Sequence, residues 1–343
     1  MSFLKKTLQY LKSAHIIKCT YISMPVLLLF LTSCGTTTYN NESASTLNNE
    51  QETTIAETSV TFEEDSTATS ESEIICTTEE TISSSESSES ITEDFSELQV
   101  HFIDVGQGDC ILIKCNSEFM LIDAGDNDQG TKVQNYLQKQ GVESLKYVIG
   151  THPHDDHIGG MDVILYKFDC ETIIMTDENT DTNAYRDVID TMKSKNYKNT
   201  LPVVGGQYSL GDAWFTIIAP SQLGDNSNNN SIVIILTHRE NKFIFMGDAE
   251  EQEETDIINS GIPIDADVYK VGHHGSSTSS SVNFLNAVSP TYAVISCAEG
   301  NSFGNPNAET LNTLRTMGVK VFRTDEQGSI VATSDGTNII WNY

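Results

Sequence analysis

The run "GTHPHDDHIGG", residues 150–160, sets His152, His154, Asp155, Asp156 and His157 within six consecutive positions and closes on two glycines, in a chain that holds only 8 histidines. In an extended segment, side chains two apart point the same way, so His152 and His154 face together while Pro153 fixes the backbone between them. Asp156 and His157 follow as the chain turns toward a helix, and nitrogen and oxygen donors converge from two directions. Imidazoles joined by a carboxylate make a zinc-like ligand set that also suits manganese or iron. Bound divalent metal lowers the pKa of water from about 15.7 toward about 7 and polarises a substrate oxygen, which is the chemistry of metal-assisted hydrolysis.

The elements that must position this cluster alternate between strand and helix. "LQVHFIDV", "CILIKC" and "EFMLIDAG" read as strands, "GTKVQNYLQKQG" has helical spacing between glycines, and "SLKYVIGTH" is a buried strand that runs straight into the histidines. Helices are expected in "GGMDVILYKF", "RDVIDTMKSKN", "EEQEETDIINSG", "SVNFLNAV" and "AETLNTLRTMG". Further strands are expected in "AWFTIIAP", "SIVIILTH", "KFIFMGD", "DVYKVG", "TYAVIS", "VKVFRT" and "SIVATSDGTNIIWN". The pattern is α/β. Residues 98–343 form one unit of 246 residues with no internal repeat, large enough for a sizeable core.

"HPHDDH" resembles the HxHxDH signature of the metallo-β-lactamase superfamily. "DVGQGD" (104–109), "MLIDAG" (120–125), "FIFMGDAE" (243–250), "VGHHGSSTS" (271–279) and the ending "GVKVFRTDEQGSI" resemble the ComEC-type competence-protein hydrolase branch. Similar modules occur in choline-phosphate esterases that act on cell-wall teichoic acid. The resemblance covers essentially all of residues 98–343. It implies a four-layer αββα sandwich with two divalent metal ions, zinc or manganese, on loops along one edge of the paired sheets. One metal would take His152 and His154, the second Asp156, His157 and a histidine of "HHGS", and Asp248 would bridge them. His274 is the favoured ligand of that pair, leaving His273 to contact substrate. Asp156, Asp248 and His273 are then the catalytic residues, and Ser276, Ser277 and Asn305 are candidate substrate contacts. Asp123 would orient a ligand loop from behind, and Asp104, Gln107 and Asp109 would shape the rim, although turn chemistry explains those three almost as well.

Two positions depart from the family pattern. Many members carry a further histidine before the bridging aspartate, where this chain reads "NNNSIVI", so Asn230 or Ser231 would be a weaker ligand to the His152/His154 metal. "GHP" near the C-terminal helix is here "GNP", Gly304 to Pro306, and Asn305 offers no titratable group for proton transfer. His101 and His238 read as structural or exposed.

Composition limits the partners. The chain has 49 acidic and 19 basic residues, a formal charge of −30, and residues 98–343 keep 33 acidic against 15 basic. That argues against a long basic groove, so no stable nucleic-acid complex is expected. The charge is uneven along the chain. Residues 1–33 carry Lys5, Lys6, Lys12 and Lys18 and the apolar run from Ile22 to Leu31, which reads as an export signal too short to span a membrane. "LTSC", Leu31 to Cys34, resembles the lipobox of bacterial lipoproteins, and lipidation of Cys34 would anchor the chain on the outer face of the membrane. Residues 34–97 hold 16 carboxylates and no Lys or Arg, as expected of a disordered acidic linker. Cys110, Cys115, Cys170 and Cys297 show no CxxC spacing, and the odd separation of Cys110 and Cys115 sets them on opposite faces of a strand. The expected protein is therefore a monomeric, lipid-anchored hydrolase of phosphodiesters. Hydrolysis of an amide, lactone or other ester, or a non-catalytic metal-bearing binding module, are the alternatives.

Overall fold

A computed structural model describes residues 96–343. The export signal, Cys34 and the acidic linker up to residue 95 lie outside the described residues. Among those described, no helix is long and apolar enough to cross a membrane.

The first half runs β1 (Leu98–Phe102), β2 (Ile111–Cys115), β3 (Glu118–Ile122), α1 (Gly130–Lys139), β4 (Ser144–Gly150), α2 (Asp155–Ile158), α3 (Met161–Lys167), β5 (Asp169–Met175), α4 (Asn183–Lys195) and β6 (Asn199–Thr200). The second half runs β7 (Gln207–Leu210), β8 (Ala213–Ala219), β9 (Val233–His238), β10 (Asn241–Phe245), α5 (Glu251–Ser260), β11 (Val268–Lys270), α6 (Val282–Val288), β12 (Tyr292–Ile295), α7 (Ala308–Thr316), β13 (Lys320–Arg323), α8 (Thr324–Gln327), β14 (Ile330–Ser334) and β15 (Ile339–Asn342).

Two mixed sheets result, ordered β15-β14-β1-β2-β3-β4-β5-β6 and β13-β12-β11-β10-β9-β8-β7. Strand alternation sorts the side chains into three apolar layers. Ile111, Ile113, Met120 and Ile149 of the first sheet meet Phe215, Leu236, Phe243 and Phe245 of the second. The opposite face of the first sheet, with Leu112, Leu121 and Val148, is covered by Val133 and Leu137 of α1, Ile164 of α3 and Val188 of α4. Ile235, Ile244 and Tyr269 on the far face of the second sheet are covered by Ile257 of α5, Phe284 of α6 and Leu314 of α7. This is the expected αββα sandwich, with the helices lying where the parallel runs β3-β4-β5 and β10-β11-β12-β13 require crossovers.

Several elements differ from the reading of the sequence. β5 was not anticipated, because Asp169 and Glu171 interrupt its apolar run, and neither was β7. The β content expected at 329–342 takes the form of a hairpin, turned where Asp335 Oδ1 accepts from the amides of Thr337 (2.8 Å) and Asn338 (2.7 Å). Cys110 and Cys115 do fall in different layers, and all four cysteines of the described residues are buried and unpaired. His101 and His238 are structural rather than exposed, hydrogen-bonded to Tyr136 Oη (3.0 Å) and Ser334 Oγ (2.9 Å).

Candidate metal centre

β4 ends at Gly150 and delivers Thr151 and His152 to the sheet edge; His154 is still extended (φ −82°, ψ 150°) and starts α2, which carries Asp156 and His157. The glycines that close the motif permit a close approach, since a Cβ on Gly159 would lie 2.4 Å from the amide of Asn127. Asp248 follows β10 of the other sheet. After β11 the chain makes a short turn in which His273 (φ 47°) and His274 (φ 54°) both adopt left-handed backbone. Non-glycine residues rarely adopt this conformation, and here it aims the two rings differently. His274 is buried, while His273 stays partly open to solvent.

Two donor groups form. His152, His154 and Asp248 make one, and Asp156, His157 and His274 the other, each with ligand atoms within 4.8 Å of one another. Asp248 belongs to both by distance. Its Oδ2 is 3.8 Å from His152 Nε2, and its Oδ1 is 3.1 Å from His157 Nε2 and 3.4 Å from His274 Nε2. His274 Nε2 also lies 3.3 Å from Asp156 Oδ2.

The outer nitrogens of these histidines are occupied. Asp123 Oδ2 accepts from His157 Nδ1 at 2.8 Å, and the carbonyl of Ser296 from His274 Nδ1 at 3.0 Å. Thr151 Oγ1 and Ser231 Oγ lie 3.2 and 3.3 Å from His152 Nδ1. Each ring thereby turns its other nitrogen inward. Inside, His157 Nε2 and His274 Nε2 are buried 3.1 and 3.4 Å from Asp248 Oδ1, but the three atoms form no well-directed hydrogen bond among the described residues, and His152 Nε2 faces His154 Nδ1 at 2.9 Å. Buried polar atoms are rarely left so. A converging set of unpaired donors fits divalent metal.

The electrostatics agree. Burial opposes charge on the Asp248 carboxyl, but His157 and His274 outweigh it and hold the group well below the ordinary carboxylate range. Burial likewise opposes a charged His157, yet Asp248, Asp123 and Asp156 raise it well above its ordinary value. His152 is lowered, by burial first and then by His157, which together outweigh the attraction of Asp248.

The remaining expected residues separate. Asp109 enters the centre: its Oδ1 is 3.6 Å from His274 Nδ1 and its Oδ2 is 2.8 Å from Lys270 Nζ. Asp104 does not, because its carboxylate caps the Gly106 amide at 3.0 Å and meets Lys132 at 3.6 Å. Ser277 lines a separate cleft beside α6 and α7, and the Ser276 hydroxyl is engaged by Thr278, through its hydroxyl at 3.0 Å and its amide at 3.3 Å. Asn305 touches the carbonyl of His273 at 3.4 Å. Asn230 turns away from the histidines to bond Glu178 (2.8 Å), whereas Ser231 stays and accepts from the amide of Asp248 (3.0 Å).

A cleft of about 420 Å³ opens over the centre, walled by His154, Asp156, Asp248, His273, Gln107 and Phe303. The sequence reading passed over Phe303, Glu250 and Lys270. Glu250 Oε1 lies 3.2 Å from His273 Nδ1 and accepts from Thr278 Oγ1 at 2.9 Å, so it fixes the His273 ring at the cleft wall. A glutamate opening a run of acidic helix residues, or a lysine ending a strand, carries no sign in the sequence of pointing inward.

The sequence family described as "Metallo-beta-lactamase superfamily" matches residues 103–299. ComE operon protein 3 of Bacillus subtilis (strain 168) is 28% identical over 254 residues, 68% of this chain and 33% of that protein. Recombination protein 2 of Haemophilus influenzae is 29% identical over 238 residues, 68% of this chain and 28% of that protein. The chain thus spans about a third of the length of these curated relatives. Among solved structures, the metallo-beta-lactamase fold protein YhfI from Bacillus subtilis aligns with a TM-score of 0.49 at 12% identity, covering 69% of this chain and 100% of that one.

Proposed function

The chain belongs to the metallo-β-lactamase superfamily, whose fold is that of metal-dependent hydrolases, and we propose that it cleaves a phosphodiester, in cell-wall polymer or extracellular nucleic acid, at the outer cell surface. One observation carries the reading: Asp248 turns one oxygen toward each of two histidine-containing donor groups, the arrangement of a carboxylate that joins two metal positions. A pair of divalent ions held there supplies a water nucleophile at neutral pH and polarises the scissile centre.

The chain's own residues do the rest. Asp123, Thr151, Ser231 and the Ser296 carbonyl hold the ligand rings in register. His273, fixed through Nδ1 by Glu250 and Thr278, presents Nε2 toward the cleft, 3.7 Å from Asp248 Oδ2, where it hydrogen-bonds a substrate oxygen. Phe303 gives one wall an apolar surface. Asp126, Asp155, Asp156 and Asp248 line the same cleft with no Lys or Arg among the lining residues. A substrate carrying one phosphodiester at a time suits that field better than a long polyanion. The surface location rests on the export signal and Cys34 expected from the sequence.

The acid-lined cleft also suits substrates with no charge, which favours amide, lactone or other ester hydrolysis as the second reading. Purified full chain supplied with Zn²⁺ or Mn²⁺ is expected to bind two ions and hydrolyse bis(p-nitrophenyl) phosphate, with turnover lost in Asp248→Ala. Turnover of β-lactams or lactones with no phosphodiester cleavage would replace the first reading by the second. Absence of turnover under either metal would leave a binding module.

A further inference from the structure

The environment of Asp109 is not explained by a role at the rim. The residue is 1% exposed, in the turn between β1 and β2, and its two oxygens have different surroundings. Oδ2 forms a fully buried ion pair with Lys270 Nζ (2.8 Å), and Lys270 spends a second proton on the carbonyl of Val271 (2.9 Å). Oδ1 has no hydrogen-bond partner among the described residues. The residue belongs to a third donor group with His157 and Asp248, one ligand atom from each lying within 4.8 Å of the others. Bonds of roughly 2.0–2.2 Å set the ligand atoms of one ion up to about 4 Å apart, so this oxygen stands at the margin of such a shell. The backbone holds it there, since the Asp109 amide donates to the carbonyl of Asp156 at 3.2 Å and the Asp109 carbonyl accepts from Gly125 at 2.9 Å.

We propose that Asp109 is itself a metal ligand, giving Oδ1 to the ion held by Asp156, His157 and His274 while Lys270 retains Oδ2. The inference rests on the two-metal reading above and adds to it a carboxylate from the "DVGQGD" turn. The lysine limits what that carboxylate contributes: with one oxygen engaged, Asp109 binds through the other alone and brings less negative charge to an already acidic centre. The nearest ring nitrogen, His274 Nδ1 at 3.6 Å, already serves the Ser296 carbonyl, so the lysine and that ring together still leave a buried carboxylate oxygen unsatisfied.

The test uses Co²⁺ as the probe, with full chain and a chromophoric chelator in competition. Wild type is expected to take up two ions. Asp109→Asn should weaken one of the two by more than about 100-fold, beyond the about 10- to 100-fold typical of losing an outer orienting group, and should change the visible d–d absorption of that ion. Lys270→Met should keep or tighten the same position, because it frees Oδ2 for the metal. If Asp109→Asn fails to fold, Asp109→Asn/Lys270→Met removes the stranded ammonium as well and should show the same loss. Equal weakening by Asp109→Asn and Lys270→Met, or an unchanged cobalt spectrum in a folded Asp109→Asn variant, would overturn the proposal. Wild type that takes up no cobalt would overturn it together with the two-metal reading, whereas two ions in wild type and an unaffected variant would remove this ligand alone.

Discussion

Asp123 Oδ2 and His157 Nδ1 meet at 2.8 Å with both side chains wholly enclosed. The same carboxylate accepts from Thr151 through both its amide (2.8 Å) and its hydroxyl (2.7 Å), so one residue at the end of β3 fixes the start of the histidine loop and a ring within it. Asp123→Ala is therefore expected to weaken metal binding about 10- to 100-fold, and Asp123→Asn to weaken it as well, because its amide nitrogen would face either the Thr151 N–H or His157 Nδ1–H. Chelator competition measures both, and identical affinities in all three proteins would remove Asp123 from the support of the site.

Gly108 lies at φ +125°, and a Cβ there would stand 2.2 Å from the carbonyl oxygen of Asp156. Gly106, two positions earlier at φ +77°, has nothing within 4 Å of its place for a Cβ. Gly106→Ala should cost only the backbone preference, about 1–2 kcal/mol, whereas Gly108→Ala must also displace Asp156 and should cost more while reducing metal content. Urea unfolding that gave equal losses for the two would contradict this.

Glu253 of α5 is buried, and burial first and Asp256 second push its carboxyl from 4.5 up to about 7. A carboxyl raised on folding holds its proton more tightly in the folded state. Its contribution is full below about 4.5 and disappears as pH rises through about 7. Glu253→Gln cannot ionise, so its Tm should gain on wild type by a few degrees, about 2–4 °C, between pH 5 and pH 8. Parallel Tm curves across that range would show that the carboxyl is relieved in some other way.

His101 behaves in the opposite sense. Burial, with Lys114 adding to it, lowers its pKa from 6.5 to about 4, so the stability it lends is present above 6.5 and lost as pH falls through about 4. His101→Gln should be less stable than wild type at pH 7, having lost the Tyr136 contact, and less sensitive to acid between pH 6.5 and 4. Thermal melts at half-unit pH intervals across that window distinguish the two slopes.

The fold was legible wherever one period dominated a segment. β4 and β10 each carry a compact apolar stretch, Tyr147-Val148-Ile149 and Phe243-Ile244-Phe245, and α1 runs between Gly130 and Gly141 with Val133 and Leu137 buried four apart. β5 escaped because Asp169 and Glu171 are exposed on a strand whose other residues are buried or, at Thr172, half-buried. At the site, residue type and spacing singled out His152, His154, Asp156 and His157, which lie within six positions of one another, whereas Asp248 and His274 were reached only through the resemblance of two distant motifs to the family pattern. What stayed hidden was orientation. Asp104 and Asp109 occupy the same turn and differ only in which way the chain carries them, one out to Lys132 and the other in to Lys270. Their inward or outward facing depends on β11, more than 150 residues downstream, so no local pattern could separate them.

His152, His154, Asp156 and His157 hang from the end of β4 in one sheet, whereas Asp248 and His274 hang from β10 and β11 in the other. Any ion gripped by both sets is a rivet between the two halves of the sandwich. Its binding free energy then enters the folding equilibrium directly, and the melting temperature becomes a gauge of how much free metal surrounds the protein.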